Sequence, residues 1–347
     1  MPVFNNTYVS LYHADARHLP IPDNSVDCVV TSPPYFGLRD YQLEGEQIGL
    51  ESTPDLYVQN MVKVFREVWR VLKPTGTVWL NLGDSYSSGS RTTTTNDSLR
   101  KGTLVNVTRT PVVEGIKPKD LMGMPWRVAF ALQADGWYLR SDIIWSKNNP
   151  MPERVHDRPT KAHEYIFLLT KSPKYYYDAD AIREPHSPES LPRALRGTSE
   201  DNKWVDGAPG STPHTMSQPR SNQRKAFESH MAGGGSGFVG HSGYISADGK
   251  VLLNPLGRNK RSVWEIATHP YPEAHFATFP EKLVEPCIMA GCPLGGVVLD
   301  PFVGSGTTMA VAQRLNRKGV GTDLSTEYLA LASKRLGSIA LPMNLGI

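Results

Sequence analysis

Cysteine is scarce: Cys28, Cys287 and Cys292 are the only three in 347 residues, too few and too scattered for a disulfide framework. Reduced thiols are expected. No apolar run approaches the roughly 20 residues that cross a bilayer. The first residues, Met1-Pro2-Val3-Phe4-Asn5-Asn6, have neither the charged start nor the apolar core of a signal peptide, so a soluble, cytoplasmic protein is expected. Charge of one sign is also lacking: 37 Lys+Arg against 34 Asp+Glu leave a formal net charge of +3. A balance this small permits nucleic-acid binding through local patches without demanding it. There is no CxxC or HExxH spacing around His156, His163 and Glu164, so no metal centre is expected.

What is present is more pointed. The apolar run Val26 to Val30 leads into Thr31-Ser32-Pro33-Pro34-Tyr35. Each proline fixes its φ and removes a backbone donor, and Ser32, preceding a proline, is pushed toward extended geometry. The loop should be stiff, with outward carbonyls beside an aromatic face. That suits a flat heterocycle whose amino group donates to Ser32 and Pro33 while its ring stacks on Tyr35. A nucleobase fits the description; a proline turn around a core tyrosine is the plainer alternative.

Near the other end, Gly296-Val297-Val298-Leu299 reads as a buried strand running into Asp300-Pro301-Phe302-Val303-Gly304-Ser305-Gly306-Thr307-Thr308, with a helix from about Met309. Glycines between strand and helix let backbone approach a ligand, and the first-turn N–H groups favour a polar or anionic group. The short strand Gly319 to Thr322 then ends at Asp323, 17 residues after Gly306, where a carboxylate commonly grips ribose hydroxyls. The loop lacks the Gly-Lys-Ser/Thr ending of a triphosphate site and departs from the three-glycine dinucleotide fingerprint.

Along the rest of the chain, periodicity predicts strands at Tyr8 to Tyr12, Thr77 to Leu82, Tyr138 to Trp145 and Tyr165 to Thr170. Helices are predicted at Pro54 to Leu72, stopped by Lys73-Pro74-Thr75-Gly76, and at Leu121 to Ala134. Alternating strands and helices imply a largely parallel sheet covered on both faces. Asp15, Ser32, Asp300 and Asp323 should then converge at the carboxyl ends of the strands.

The Asp300-Pro301-Phe302-x-Gly304-x-Gly306-Thr307-Thr308 segment resembles the S-adenosylmethionine motif of DNA amino-methyltransferases, and Ser32-Pro33-Pro34-Tyr35 resembles their catalytic motif. The order, catalytic motif first, resembles the β class, and the resemblance covers most of about residues 5–182 and 262–337. It implies a circularly permuted Rossmann-like methyltransferase fold with a mostly parallel seven-stranded sheet. Residues 1–182 would form the catalytic half, with a mobile basic loop at 84–118; 183–262 an inserted, irregular target-recognition region; and 263–347 the cofactor-binding half.

By the same resemblance, the catalytic residues are Ser32, Pro33, Pro34 and Tyr35. The S-adenosylmethionine site comprises Asp15, Phe279, Lys282, Asp300, Pro301, Phe302, Gly304, Ser305, Gly306, Thr307 and Asp323, Phe279 and Lys282 lying in a segment similar to the family's cofactor-adjacent motif. Candidate DNA contacts are Arg91, Arg100, Lys101, Arg193, Arg196, Arg220, Arg224, Lys225, Arg258, Lys260 and Arg261, with Arg109 also in the serine- and threonine-rich loop. His163 and Glu164 read as exposed polar residues or as groups orienting the DNA strand.

Pro286-Cys287 resembles the nucleophile dipeptide of cytosine C5-methyltransferases, but within an apolar helix Cys287 reads better as a packed thiol. Implied partners are double-stranded DNA, a second copy of the chain and a cognate restriction endonuclease. Within the family, Ser-Pro-Pro-Tyr leans to cytosine N4, with adenine N6 as the alternative. RNA or protein-glutamine methylation and a catalytically silent DNA-binding protein are the remoter readings.

Overall fold

The computed structural model describes residues 1–38, 47–87, 116–189, 244–245, 251–252, 254, 256–268 and 279–339. Its centre is a nine-stranded sheet. In chain order the strands are β1 (Phe4–Asn5), β2 (Val9–His13), β3 (Val26–Thr31), β4 (Leu72–Leu82), β5 (Tyr138–Ser146), β6 (His163–Thr170), β9 (Val263–Glu265), β10 (Val297–Asp300) and β11 (Lys318–Asp323). The spatial order is β1-β2-β11-β10-β3-β4-β6-β5-β9. From β2 through β11, β10 and β3 to β4 the strands run parallel, and β6 runs antiparallel to both β4 and β5. Nine strands replace the seven expected because two short ones, β1 of two residues and β9 of three, extend the edges.

The central strands read Val-Asp-Cys-Val-Val-Thr and Val-Val-Leu-Asp, nearly continuous apolar runs, because helices cover both faces. On one face lie α1 (Pro54–Val71) and α2 (Met124–Ala134), whose buried Met61, Phe65, Val68 and Leu132 pack with Val29, Val78 and Leu80. Against the other lie α3 (Glu281–Gly291) and α4 (Thr307–Arg314), where Leu283, Ile288 and Val311 meet Val30, Trp79 and Val298. A third cluster joins Val9 and Leu11 to Leu329 and Ala332 of α5 (Thr326–Ser338).

Two boundaries differ from the sequence reading. Lys73 to Gly76 is not a separate turn: β4 starts at Leu72, and pairing jumps from Val26↔Leu72 to Cys28↔Thr77, so the extra residues form a bulge. Helix α2 begins at Met124 rather than Leu121, because Gly123 is left-handed (φ 67°) and the Asp84 carboxylate accepts the Met124 N–H at 3.0 Å.

The chain divides into two compact units, residues 1–182 with 261–347, and residues 183–260. In the second, Glu184 and Arg258 exchange backbone hydrogen bonds of 2.9 and 2.8 Å, and β7 (Tyr244–Ile245) pairs with β8 (Val251–Leu252). Among the described residues, no helix is long and apolar enough to cross a membrane.

Candidate active site

Sheet register brings the two motifs together. Leu299 pairs with Val29, Asp300 with Gly321, and Asp323 with His13, so β3, β10, β11 and β2 end side by side. Ser32, Asp300, Asp323 and Asp15 sit at or just past these four ends, an edge three strand spacings or about 14 Å wide. This is the carboxyl edge where open α/β sheets bind ligands.

Asp300 joins the motifs directly. Its Oδ1 accepts the Thr31 hydroxyl at 2.7 Å and the Phe302 N–H at 3.1 Å, while Oδ2 accepts the Thr308 hydroxyl at 2.7 Å. Thr31 immediately precedes Ser32, and Thr308 opens α4, so one buried carboxylate ties the proline loop to the glycine loop across 269 residues. Burial pushes this carboxyl up to about 6, against the pull of its three donors. Asp300 is therefore committed to the protein, as a brace under the site.

The glycine loop needs its glycines. Gly304 and Gly306 have φ of 47° and 82°, the left-handed region. At Gly306, the α4 N-cap, an added Cβ would also stand 3.1 Å from the Ala332 Cβ. Gly306→Ala is expected to lower stability by about 1–2 kcal/mol, read by thermal denaturation. The Gly304 N–H donates to Asp323 Oδ2 at 2.9 Å, and Asp323 Oδ1 accepts the Ser325 N–H at 2.9 Å. Burial raises the Asp323 carboxyl despite these bonds.

The Ser305 hydroxyl is buried without a hydrogen-bond partner among the described residues, and a Cβ added at Gly304 would meet only the Phe302 carbonyl, at 3.9 Å. An unmatched polar group beside a glycine with a single carbonyl in van der Waals contact fits a polar ligand at this loop. Pro301 is buried under its carbonyl's bond from the Thr322 hydroxyl (3.0 Å), and Phe302 is half-buried.

A residue missed in the sequence steadies this loop. Arg335 of α5 donates to the Ser305 carbonyl (3.3 Å) and to Thr307 Oγ1 (3.0 Å), and pairs with Glu281 at 2.7 Å. Glu281 starts α3, where Lys282 is exposed and Phe279 packs onto the apolar layer beneath β3. Asp15 lies at the edge as expected but is held by Arg17, which donates through its backbone N–H at 2.8 Å and its guanidinium at 2.5–3.0 Å. Burial raises the Asp15 carboxyl, but Arg17 outweighs it and holds the group below the usual range.

The proline loop is stiffer than its sequence implies, and one expected outward carbonyl turns in. Pro34 O accepts the Tyr57 hydroxyl at 2.8 Å. Among the described residues no hydrogen bond reaches the Pro33 carbonyl. The Tyr35 ring lies against Gly83, where an added Cβ would come within 2.6 Å of it. Its hydroxyl is 2.7 Å from Glu164 Oε2, 3.1 Å from Asn81 Oδ1 and 3.4 Å from Ser32 Oγ. Burial, then the neighbouring Glu164 charge, pushes the Tyr35 phenol well above its ordinary value.

Glu164 is thus not an exposed polar residue: its side chain is 14% exposed and also binds Lys147. His163 stacks edge-on against Tyr165, and His156 is exposed. Cys287 is buried, its thiol donating to the Leu283 carbonyl at 3.2 Å, as a packed thiol should.

Of the expected DNA-contacting residues, Arg91, Arg100, Lys101, Arg193, Arg196, Arg220, Arg224 and Lys225 lie outside the described residues, as do Arg109 and most of the 84–118 loop. Arg258 and Lys260 face Glu184 at 3.3 and 3.8 Å, and the Arg261 carbonyl accepts the Trp264 indole N–H at 2.7 Å.

Residues 26–334 match the family model described as DNA methylase, the N6/N4 methyltransferases. The chain belongs to this family. It is an S-adenosylmethionine-dependent DNA amino-methyltransferase. Type II methyltransferase M.SmaI of Serratia marcescens is 44% identical over 310 residues, 89% of this chain and 84% of that protein. Type II methyltransferase M.XycI of Xanthomonas campestris pv. cyanopsidis is 45% identical, over 91% of this methylase and 83% of the relative.

Among solved structures, the PvuII DNA methyltransferase (cytosine-N4-specific) superposes with a TM-score of 0.58 at 18% identity, covering 98% of this chain and 90% of that one. A putative DNA modification methylase from Thermus thermophilus, complexed with S-adenosyl-L-methionine, gives 0.51 at 21% identity, covering 94% and 92%. The methylase therefore has the Rossmann-like methyltransferase fold expected from its sequence.

Proposed function

We propose that this methylase transfers the methyl group of S-adenosylmethionine to the N4 amino group of a cytosine flipped out of double-stranded DNA. The observation that supports an exocyclic amine as methyl acceptor is Ser32, one residue from the Thr31–Asp300 bridge to the glycine loop and next in sequence to a Pro33 carbonyl that no hydrogen bond among the described residues reaches; the Ser-Pro-Pro-Tyr motif leans it to cytosine. Two acceptors match the two hydrogens of an exocyclic amine. Drawing them off the ring plane directs the nitrogen lone pair at the methyl carbon; the N–C bond forms as the sulfonium C–S bond breaks, and one amino proton leaves afterwards. Flipping costs a few kcal/mol, offset by stacking on Tyr35.

On the cofactor side, Asp323 is assigned to the ribose hydroxyls and Phe302, Gly304, Ser305 and Thr307 to the methionine part, with Phe279 and Lys282 alongside. Asp15, held by Arg17, is assigned to the adenine end. Residues 183–262 are assigned to target recognition and the 84–118 loop to DNA clamping. A restriction endonuclease acting in the same cytoplasm and a second copy of the chain are the proposed protein partners.

The base is tested on defined oligonucleotide duplexes, digested and analysed as nucleosides by mass spectrometry. N4-methylcytosine is expected; N6-methyladenine alone would overturn the cytosine assignment while leaving the amino-methyltransferase intact.

A further inference from the structure

We propose that Glu164 is a positioning residue that sets the direction of the Ser32 hydroxyl hydrogen, acting through Tyr35. The inference rests on the reading of Ser32 as an acceptor for the target amine. That role requires the hydroxyl's own hydrogen to point elsewhere, and a hydroxyl rotor is fixed only by its neighbours.

The neighbours here form an ordered series. Asn81 Nδ2 meets two groups that only accept, Glu164 Oε2 at 3.2 Å and the Tyr165 carbonyl at 3.1 Å, which fixes the amide with Oδ1 toward Tyr35. The Lys147 ammonium, itself 4.6 Å from the Trp145 ring centroid, takes Glu164 Oε1 and leaves Oε2 for Tyr35. Tyr35 has one hydrogen and three oxygens in reach, Glu164 Oε2, Asn81 Oδ1 and, farthest, Ser32 Oγ. The carboxylate, shorter at 2.7 Å against 3.1 Å and charged, takes it.

With its hydrogen drawn to Glu164, the phenol oxygen presents only lone pairs to Ser32 Oγ, 3.4 Å away. That contact is long for a hydroxyl pair, as catalytic hydrogen bonds often are before substrate binds. The Ser32 hydrogen turns toward Tyr35, and the lone pairs of Oγ face the base. Tyr35 thus does two separable things: its ring stacks, and its hydroxyl orients.

Glu164→Gln reverses the series at constant size. The glutamine oxygen stays with Lys147, so its NH2 faces both Tyr35 and the Asn81 amide. Asn81 then either keeps Nδ2 against a second donor or turns Oδ1 onto the Tyr165 carbonyl, so the fixed order is lost; where it turns, Tyr35 faces only donors and sends its hydrogen to Ser32. The Ser32 hydrogen is then forced toward the amine it should accept from.

The experiment measures single-turnover methylation, cofactor Kd and Tm for the full chain carrying Glu164→Gln, Tyr35→Phe, both together, and Ser32→Ala. Glu164→Gln and Tyr35→Phe are each expected to slow methyl transfer about 100-fold, with Kd and Tm close to wild type. The double variant should be no slower than the slower single, because both break one series.

A wild-type rate in Glu164→Gln, multiplicative losses in the double variant, or a fall in rate matched by lost cofactor affinity and Tm would overturn the proposal. Ser32→Ala separates the two levels. If it is slow while Glu164→Gln is not, only the positioning role falls; if it methylates at the wild-type rate, the reading of Ser32 falls and takes this inference with it.

Discussion

Ser32→Ala is expected to slow methyl transfer by about 100- to 1,000-fold, the usual cost of deleting one group that engages charge developing in the transition state. Cofactor affinity should hardly change. Among the described residues the hydroxyl makes one long contact, to Tyr35, so its loss removes no strong bond from them. The Asp300 brace grips the preceding residue, Thr31, and remains whole. Single-turnover rates with labelled S-adenosylmethionine, beside calorimetric binding of the same cofactor, read both quantities. A rate within a few-fold of wild type would remove Ser32 from the chemistry.

Asp300→Asn is expected to be more stable than wild type at pH 7.5 and about as stable at pH 4. Burial lifts the native carboxyl to about 6 from the ordinary aspartate value of 3.8. Between those values the native state holds the proton more tightly than the unfolded chain, so stability is greatest below about pH 4 and is lost as pH rises through 6. A rise of that size corresponds to about 3 kcal/mol.

Asparagine mimics the protonated form: its oxygen can accept from Thr31 and the Phe302 N–H, and its NH2 can donate to Thr308. The Thr308 hydroxyl in turn has the Val30 carbonyl at 3.3 Å to donate to. Asp323 is shifted in the same sense and Asp15 and Glu281 in the opposite one, but the difference between wild type and variant isolates Asp300. Chemical denaturation at pH 4 and 7.5 measures it. A pH-independent difference would exclude a raised carboxyl at this position.

The motif residues were legible because each breaks a local pattern. Ser32 to Tyr35 interrupts an apolar strand with two prolines, and Gly304 and Gly306 sit where strand passes to helix. Convergence of the two motifs followed from that, since open α/β sheets collect ligands at the carboxyl ends of their strands; that β3 and β10 are direct neighbours is what the structure adds. Glu164 was not legible. In sequence it is one acid beside a histidine at the start of a strand, and only the antiparallel pairing of β6 with β4 brings it to Asn81 and Tyr35. Asp15 shows the converse, a residue placed correctly whose carboxylate is engaged by Arg17 two positions on. Arg335 left no local signal for its hold on the loop, because Ser305, Thr307 and Glu281 lie 28 to 54 residues away.

The strand order carries a consequence for the chain's birth. β10 and β11, the last strands in sequence among the described residues, lie between β2 and β3, which are among the first. Until residues 297–323 leave the ribosome, β2 and β3 have no shared neighbour, and each exposes an unpaired edge to the cell. The methylase therefore closes its sheet only once residues 297–323 have emerged, through contacts of long sequence separation that form slowly. Its two half-sites come into being in the same step, since Asp300 cannot brace Thr31 before that gap is filled.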